Sequence, residues 1–337
     1  MLDGSPHSSD VIAPGPTEAA VRLWSREDQR SGIQFSRTVR LFEGTTRVAC
    51  DVTMKNIDSK PRRWGIWTVT QLDGTRRDGK GFNPDLVAWC PVNARSRFQN
   101  GYNILFGAAD NPTFQLPLDS KILRLQYQYK VGKIALDSSA GWTATVNGAS
   151  GDVFVQRFEF ELGKEYPDNA SVEFWSSGLG SIRAWGKDVE MKNDVRETPY
   201  LIECELISPF ARLLPGETYS WRYEWHASNV GGNFPVRDYN TLGVISEPLA
   251  AYRSGAKVRL SGRFGVFQPG VAQVQFLDAS GQSLRSGEFR ASASPMIPLV
   301  LNAQEDLPAN AETVALSLQS ETGQALGEIA RAKIQSQ

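Results

Sequence analysis

From residue 32 to residue 226 the chain repeats one device. Short runs of Val, Ile, Thr and aromatic residues alternate apolar with polar and are separated by Gly, Asn, Asp and Pro. A period of two sends successive side chains to opposite faces of an extended strand, so each run buries one face and wets the other. The runs at 32–42, 47–56, 63–71, 122–131, 142–146, 153–162, 171–176, 200–207 and 218–226 have the cadence of a large antiparallel all-β protein. Helical pattern is nearly absent: 242–252 has room for a turn or two, broken by Pro248. With 337 residues, 41% of them hydrophobic, the chain has material for two domains with real cores.

Several function classes fall away. Lys plus Arg number 36 and Asp plus Glu 37, a net charge of −1, which does not supply the basic face of a nucleic-acid binder. No run approaches the roughly 18 consecutive apolar residues of a bilayer-spanning helix, so no integral membrane segment is expected. Cys50, Cys90 and Cys204 are far apart and read as buried thiols rather than a disulfide framework. With only His7 and His226 and no Cys/His cluster, no metal site is expected. A Walker A loop, a dinucleotide-binding Gly-x-Gly-x-x-Gly and a Gly-x-Ser-x-Gly elbow are also missing, and no cofactor is expected. Residues 1–10 lack the basic and apolar regions of a signal peptide, which leaves the compartment open.

Texture divides the chain. A polar segment at 1–14 reads as flexible, residues 15–250 as a large β-sandwich, and 251–337 as a small Ig-like β-sandwich without Trp. In the last segment, 274–284 and 316–326 both place Gly-Gln-x-Leu after a polar turn, the pattern of two hairpins.

Chemistry is left to strand carboxylates and aromatics. In residues 200–207, alternation puts Glu203 and Glu205 on one face, about 7 Å apart, with Ile202, Cys204 and Leu206 on the other. Such a pair suits a polar ligand or a split of acid and base roles, or is simply a wetted strand face. Glu173 adds a third strand carboxylate, and Arg157 with Glu159 forms another polar face. In residues 63–71 one face carries Trp64, Ile66, Thr68 and Thr70, and the other Trp67, Val69 and Gln71. A Trp beside a Gln on an open sheet suits a sugar, the indole covering the C–H face while amides and carboxylates take hydroxyls. The alternative is that both Trp residues are core.

Residues 32–41, 52–57 and 61–71 open a longer series with Lys130-Val131-Gly132-Lys133, Gly141-Trp142, Glu165-Tyr166-Pro167-Asp168 and Val172-Glu173-Phe174. Glu203-Cys204-Glu205-Leu206-Ile207-Ser208-Pro209 and Leu214-Pro215-Gly216-Glu217 close it. Over roughly residues 15–228 the series resembles the DUF4380 family, which is similar to the galactose mutarotase-like β-supersandwich. The resemblance implies a large two-layered antiparallel sheet whose concave face binds carbohydrate in many relatives. In aldose 1-epimerases a strand glutamate is the general base and a histidine protonates the ring oxygen. Glu205, or else Glu203 or Glu173, would be that base here, whereas His226 follows the glutamates instead of occupying the epimerase position. The resemblance also implies further strands upstream, so the supersandwich is expected to be incomplete at its N-terminus. Exposed strand edges would then favour a homo-oligomer, and a longer chain could be extracytoplasmic.

The expected function is non-catalytic carbohydrate binding, through Trp67, Gln71, Arg157, Glu173 and Glu203. Two alternatives stand beside it: an epimerase-like isomerase with Glu205 as base, and a structural or interaction protein of the envelope with no small ligand.

Overall fold

The computed structural model describes Leu2 and residues 4–115, 121–184 and 186–336. Among these residues the regular elements are strands and one 3-10 turn at Pro167–Asn169, so the all-β class is as expected. The chain divides into two compact units. The first takes residues up to Glu43, Val48–Thr145 and Val155–Trp225; the second takes Gly44–Arg47, Val146–Phe154 and the chain from His226.

In the first unit two sheets enclose one core. The larger sheet has ten strands, in the order Ser8–Pro14, Glu18–Trp24, Ile33–Phe42, Val48–Asn56, Thr218–Asn229, Asp152–Phe158, Trp142–Asn147, Leu86–Pro91, Ile122–Gln126 and Phe114–Gln115. The smaller is antiparallel, in the order Trp67–Asp73, Leu201–Ile207, Val172–Ser176, Gly132–Leu136 and Asn103–Gly107. Alternation builds the core: Cys50, Val52 and Met54 of the larger sheet share it with Ile134, Leu136, Val172, Phe174, Ile202, Cys204 and Leu206 of the smaller. Polar links also cross it, from Gln156 Nε2 to Thr70 Oγ1 (2.9 Å) and between Thr145 Oγ1 and Cys204 Sγ (3.4 Å). All three cysteines are buried and free.

The second unit is a small β-sandwich. One layer holds Asp238–Asn240, Gly243–Ser254, Lys257–Val266 and Leu299–Asp306, and the other Gly270–Leu277, Ser283–Ala293, Thr313–Gln319 and Ala325–Ser336. A parallel pairing of Ala251, Tyr252 and Arg253 with Ile334, Gln335 and Ser336 joins the layers. Between them lies a core that includes Val258, Leu260, Phe264, Val274, Phe276, Leu316 and Leu318. The two Gly-Gln-x-Leu stretches form hairpins, closed by turns at Asp278–Gln282 and Ser320–Gln324.

Four local expectations are corrected. Of the segment 1–14, Met1 and Asp3 lie outside the described residues, but Ser8–Pro14 is a strand paired with Glu18–Trp24. The 250/251 boundary falls inside the strand Gly243–Ser254, and the second unit resumes at His226, immediately after the last of the nine tryptophans, Trp225. Of the helical turn expected at 242–252, all but Leu242 lies in that same strand, where Pro248 sits in a register shift between Glu247 and Ala250; a bulge tolerates a residue with no N–H to donate. Finally, the run 63–71 is broken. Arg62–Trp64 pairs with Ala211–Leu213, whereas Trp67–Asp73 pairs with Leu201–Ile207. Between them the Gly65 backbone passes so close to its neighbours that a Cβ would lie 2.8 Å from Pro167 Cγ and 3.1 Å from the Ser208 carbonyl oxygen.

Candidate functional site

The side chains of the five-stranded sheet that do not enter the core make its outer face. Trp67, Val69 and Gln71 stand beside Ile207, Glu205 and Glu203 in register, Glu205 beside Glu173, and Glu203 beside Trp175, which in turn faces Lys133. Five of the expected residues therefore share one surface: Trp67, Gln71, Glu173, Glu203 and Glu205. Trp67 is 55% exposed and Val69 41%. Gln71 Nε2 donates to Glu203 Oε1 at 2.9 Å in the open. Toward the other edge Trp175 meets Phe106 edge-on at 6.3 Å, and both, like Met191, pack against the cluster of Val131 and Ile182, with Ile182 and Met191 in the hairpin Gly180–Ala184/Lys187–Met191.

Beneath Trp67 lies a buried charge cluster. Adjacent carboxylates on neighbouring strands repel one another, and here Lys133 reaches diagonally between them. Its Nζ is 2.8 Å from Glu173 Oε2 and 2.7 Å from Glu205 Oε2. Trp67 Nε1 donates to the same Glu205 oxygen at 2.5 Å, and the ammonium lies 4.9 Å from the indole centroid, within cation–π range. Glu205 is 0% exposed and Glu173 3%. Glu173 Oε1 and Glu205 Oε1 are buried with no hydrogen-bond partner.

The electrostatics follow from two carboxylates sharing one ammonium. Burial pushes the Glu205 carboxyl up to about 7; Lys133 opposes that shift and the neighbouring Glu173 adds to it. Burial raises Glu173 too, again against the pull of Lys133. For Lys133, burial works against the charged form, but Glu205 and Glu173 outweigh it and its pKa is raised. The cluster thus holds its cation firmly, and one carboxyl is close to its protonation point near neutrality. Glu205 could act as a proton acceptor only for a group that reached it past Trp67.

Arg157 is not part of this face. It belongs to the strand Asp152–Phe158 of the ten-stranded sheet, where its neighbour Gln156 points into the core, and it pairs with Glu224 at 3.2 Å. Because a strand's neighbours point oppositely, Arg157 lies on the far side of the sandwich from Trp67. Trp64, 43% exposed, donates its Nε1 to the Ser31 carbonyl and sits outside the five-stranded sheet. Both Trp residues are therefore surface residues, not core. His226 is in the second unit, stacked on Phe267 at 4.5 Å. Among the described residues no group of three or more His, Cys, Asp or Glu side chains could hold a metal ion, and no helix is long and apolar enough to cross a membrane.

Lys133 escaped sequence reasoning. Alternation alone would have placed it opposite Ile134 and Leu136, but a lone Lys on a strand reads as solvated until its partner strand is known.

Similar solved structures include a TPR-domain containing protein from Parabacteroides distasonis (TM-score 0.45, 13% identity, covering 70% of this chain). The chain spans 37% of that protein's length. A galactose mutarotase-like protein from Lactobacillus casei has TM-score 0.39 and 14% identity, with 65% of this chain and 72% of the other covered. A galactose mutarotase related enzyme from Lactobacillus acidophilus has TM-score 0.39 and 10% identity, with 64% and 70% covered. No curated protein matches the sequence. The model of a domain of unknown function, DUF4380, matches residues 16–228, more than half of the 337 residues. The chain belongs to the DUF4380 family.

Proposed function

We propose that the outer face of the five-stranded sheet binds carbohydrate without transforming it. One observation carries this reading: Trp67 leaves 55% of its surface in solvent while its polar edge is pinned by Glu205. An exposed indole held in one orientation offers apolar area at little entropic cost on binding. Val69 extends that apolar surface, and Gln71 and Glu203 supply the amide and carboxylate that recognise hydroxyls. Glu173 serves from beneath, by fixing Lys133.

Epimerase-like catalysis is the second reading, and a specific observation favours it. Burial pushes the Glu205 carboxyl up to about 7, near the value that suits a general base at neutral pH. Against it, Glu205 is fully buried and one of its oxygens is already engaged by two donors, whereas a general base must reach the proton it removes.

Saturation-transfer NMR together with polarimetry, on α-glucose and α-galactose, separates the readings. Ligand signal with unchanged mutarotation is the expected result. Accelerated mutarotation would replace binding by catalysis, and silence in both would leave an interaction scaffold.

A further inference from the structure

The exposed face does not end at Gln71. Gln71 also lines a cleft of about 570 Å³, together with Asp73, Thr75, Val195 and Tyr200. Trp67, Gln71 and Asp73 lie on one strand at even spacing, so their side chains point to the same face. At about 3.4 Å per residue, Trp67 and Gln71 are some 14 Å apart, and Trp67 and Asp73 some 20 Å. One pyranose cannot touch both ends.

The lining has the chemistry of the face continued. Val195 is 50% exposed and gives apolar surface beside Tyr200. Asp73 accepts the Thr75 N–H on Oδ1 (2.8 Å), which orients its carboxylate at the cleft. Gly79 and Gly81 form part of the wall, and a Cβ on either would meet nothing within 4 Å, so the space beside them is open. Among the described residues no Lys or Arg lines the cleft, and Asp73 puts a carboxylate there, which disfavours an anionic ligand.

We propose that the Trp67–Gln71 face and the Asp73–Tyr200 cleft form one continuous groove for a neutral oligosaccharide, with Trp67 and the cleft holding different sugar residues of the same chain. This rests on the carbohydrate reading above and adds the length and charge of the ligand.

The test is a calorimetric titration of gluco-, manno-, galacto- and xylo-oligosaccharides, each from monosaccharide to hexasaccharide, on the full chain and on Asp73→Ala. The inference predicts that in at least one series affinity rises about tenfold or more between monosaccharide and tetrasaccharide. It also predicts that Asp73→Ala removes most of that gain while monosaccharide binding is unchanged. Affinity independent of length, or a length gain untouched by Asp73→Ala, would overturn the groove and leave carbohydrate binding standing. Absence of binding across every series would overturn both.

Discussion

Each unit buries a carboxylate on a strand, and the two are used differently. In the second unit Glu305, 2% exposed, accepts the backbone N–H of Glu288 on one oxygen and of Phe289 on the other, both at 2.8 Å. It thereby ties Leu299–Asp306 to Ser283–Ala293, strands of opposite layers, and Gly287 leaves room for it, since a Cβ there would collide with the carboxylate. In the first unit Glu205 places one oxygen on an ammonium and an indole and leaves the other unpaired. Backbone donors are fixed by the sheet, so Glu305 is a clasp. Side-chain donors can move, and an unpaired buried oxygen costs free energy. Glu305 is thus held by the sheet itself, and Glu205 by side chains that meet across strands.

The comparison can be broken in several ways. The largest effect is expected from Lys133→Met, which strands two buried carboxylates; removing one partner of a buried pair costs about 3–5 kcal/mol. Denaturant unfolding should show that loss, and adding Glu205→Gln should recover part of it. If Lys133→Met is neutral, the cluster is not the tight unit described. Next, Glu305→Ala should destabilise the second unit by about 2–4 kcal/mol, by orphaning two N–H groups, with sugar affinity unchanged. A loss of affinity there would erase the distinction between the two carboxylates.

A subtler contrast lies in pH. The folded-state pKa of Glu205 is about 7 against an ordinary value of 4.5, so between those values the folded chain holds a proton that the unfolded chain has lost. The stability this group contributes is full below pH 4.5 and is lost as pH rises through 7. Unfolding free energies across that window should therefore decline with pH in the native chain and decline less in Glu205→Gln. Equal slopes would mean that Glu205 ionises freely. The smallest effect on stability, about 1–2 kcal/mol, is expected for Trp67→Ala: the side chain is largely exposed, but it donates to the buried Glu205 carboxylate. The buried Trp221, 6% exposed, should cost about 3–5 kcal/mol on the same change.

Alternation made much of this readable in advance. Ile202, Cys204 and Leu206 are in the core while Glu203 and Glu205 share the other face, because a period of two is a local property of the backbone. Strand partners are not local. Lys133 meets Glu205 across 72 positions, and Arg157, polar in the same way as Glu173, lies on the other sheet. The break at Gly65 also escaped, since the run reads continuously and only Pro167 and Ser208 reveal why the chain must turn there. The boundary between units was visible only as the end of the tryptophans.

The most direct test uses the two exposed indoles. Trp67 and Trp64 are 55% and 43% exposed, but only Trp67 stands on the five-stranded sheet. Titrating a sugar that gives a saturation-transfer signal into Trp67→Ala and Trp64→Ala should show binding abolished in the first and retained in the second, with both variants folded. Retained affinity in folded Trp67→Ala, or equal loss in both, would contradict the account.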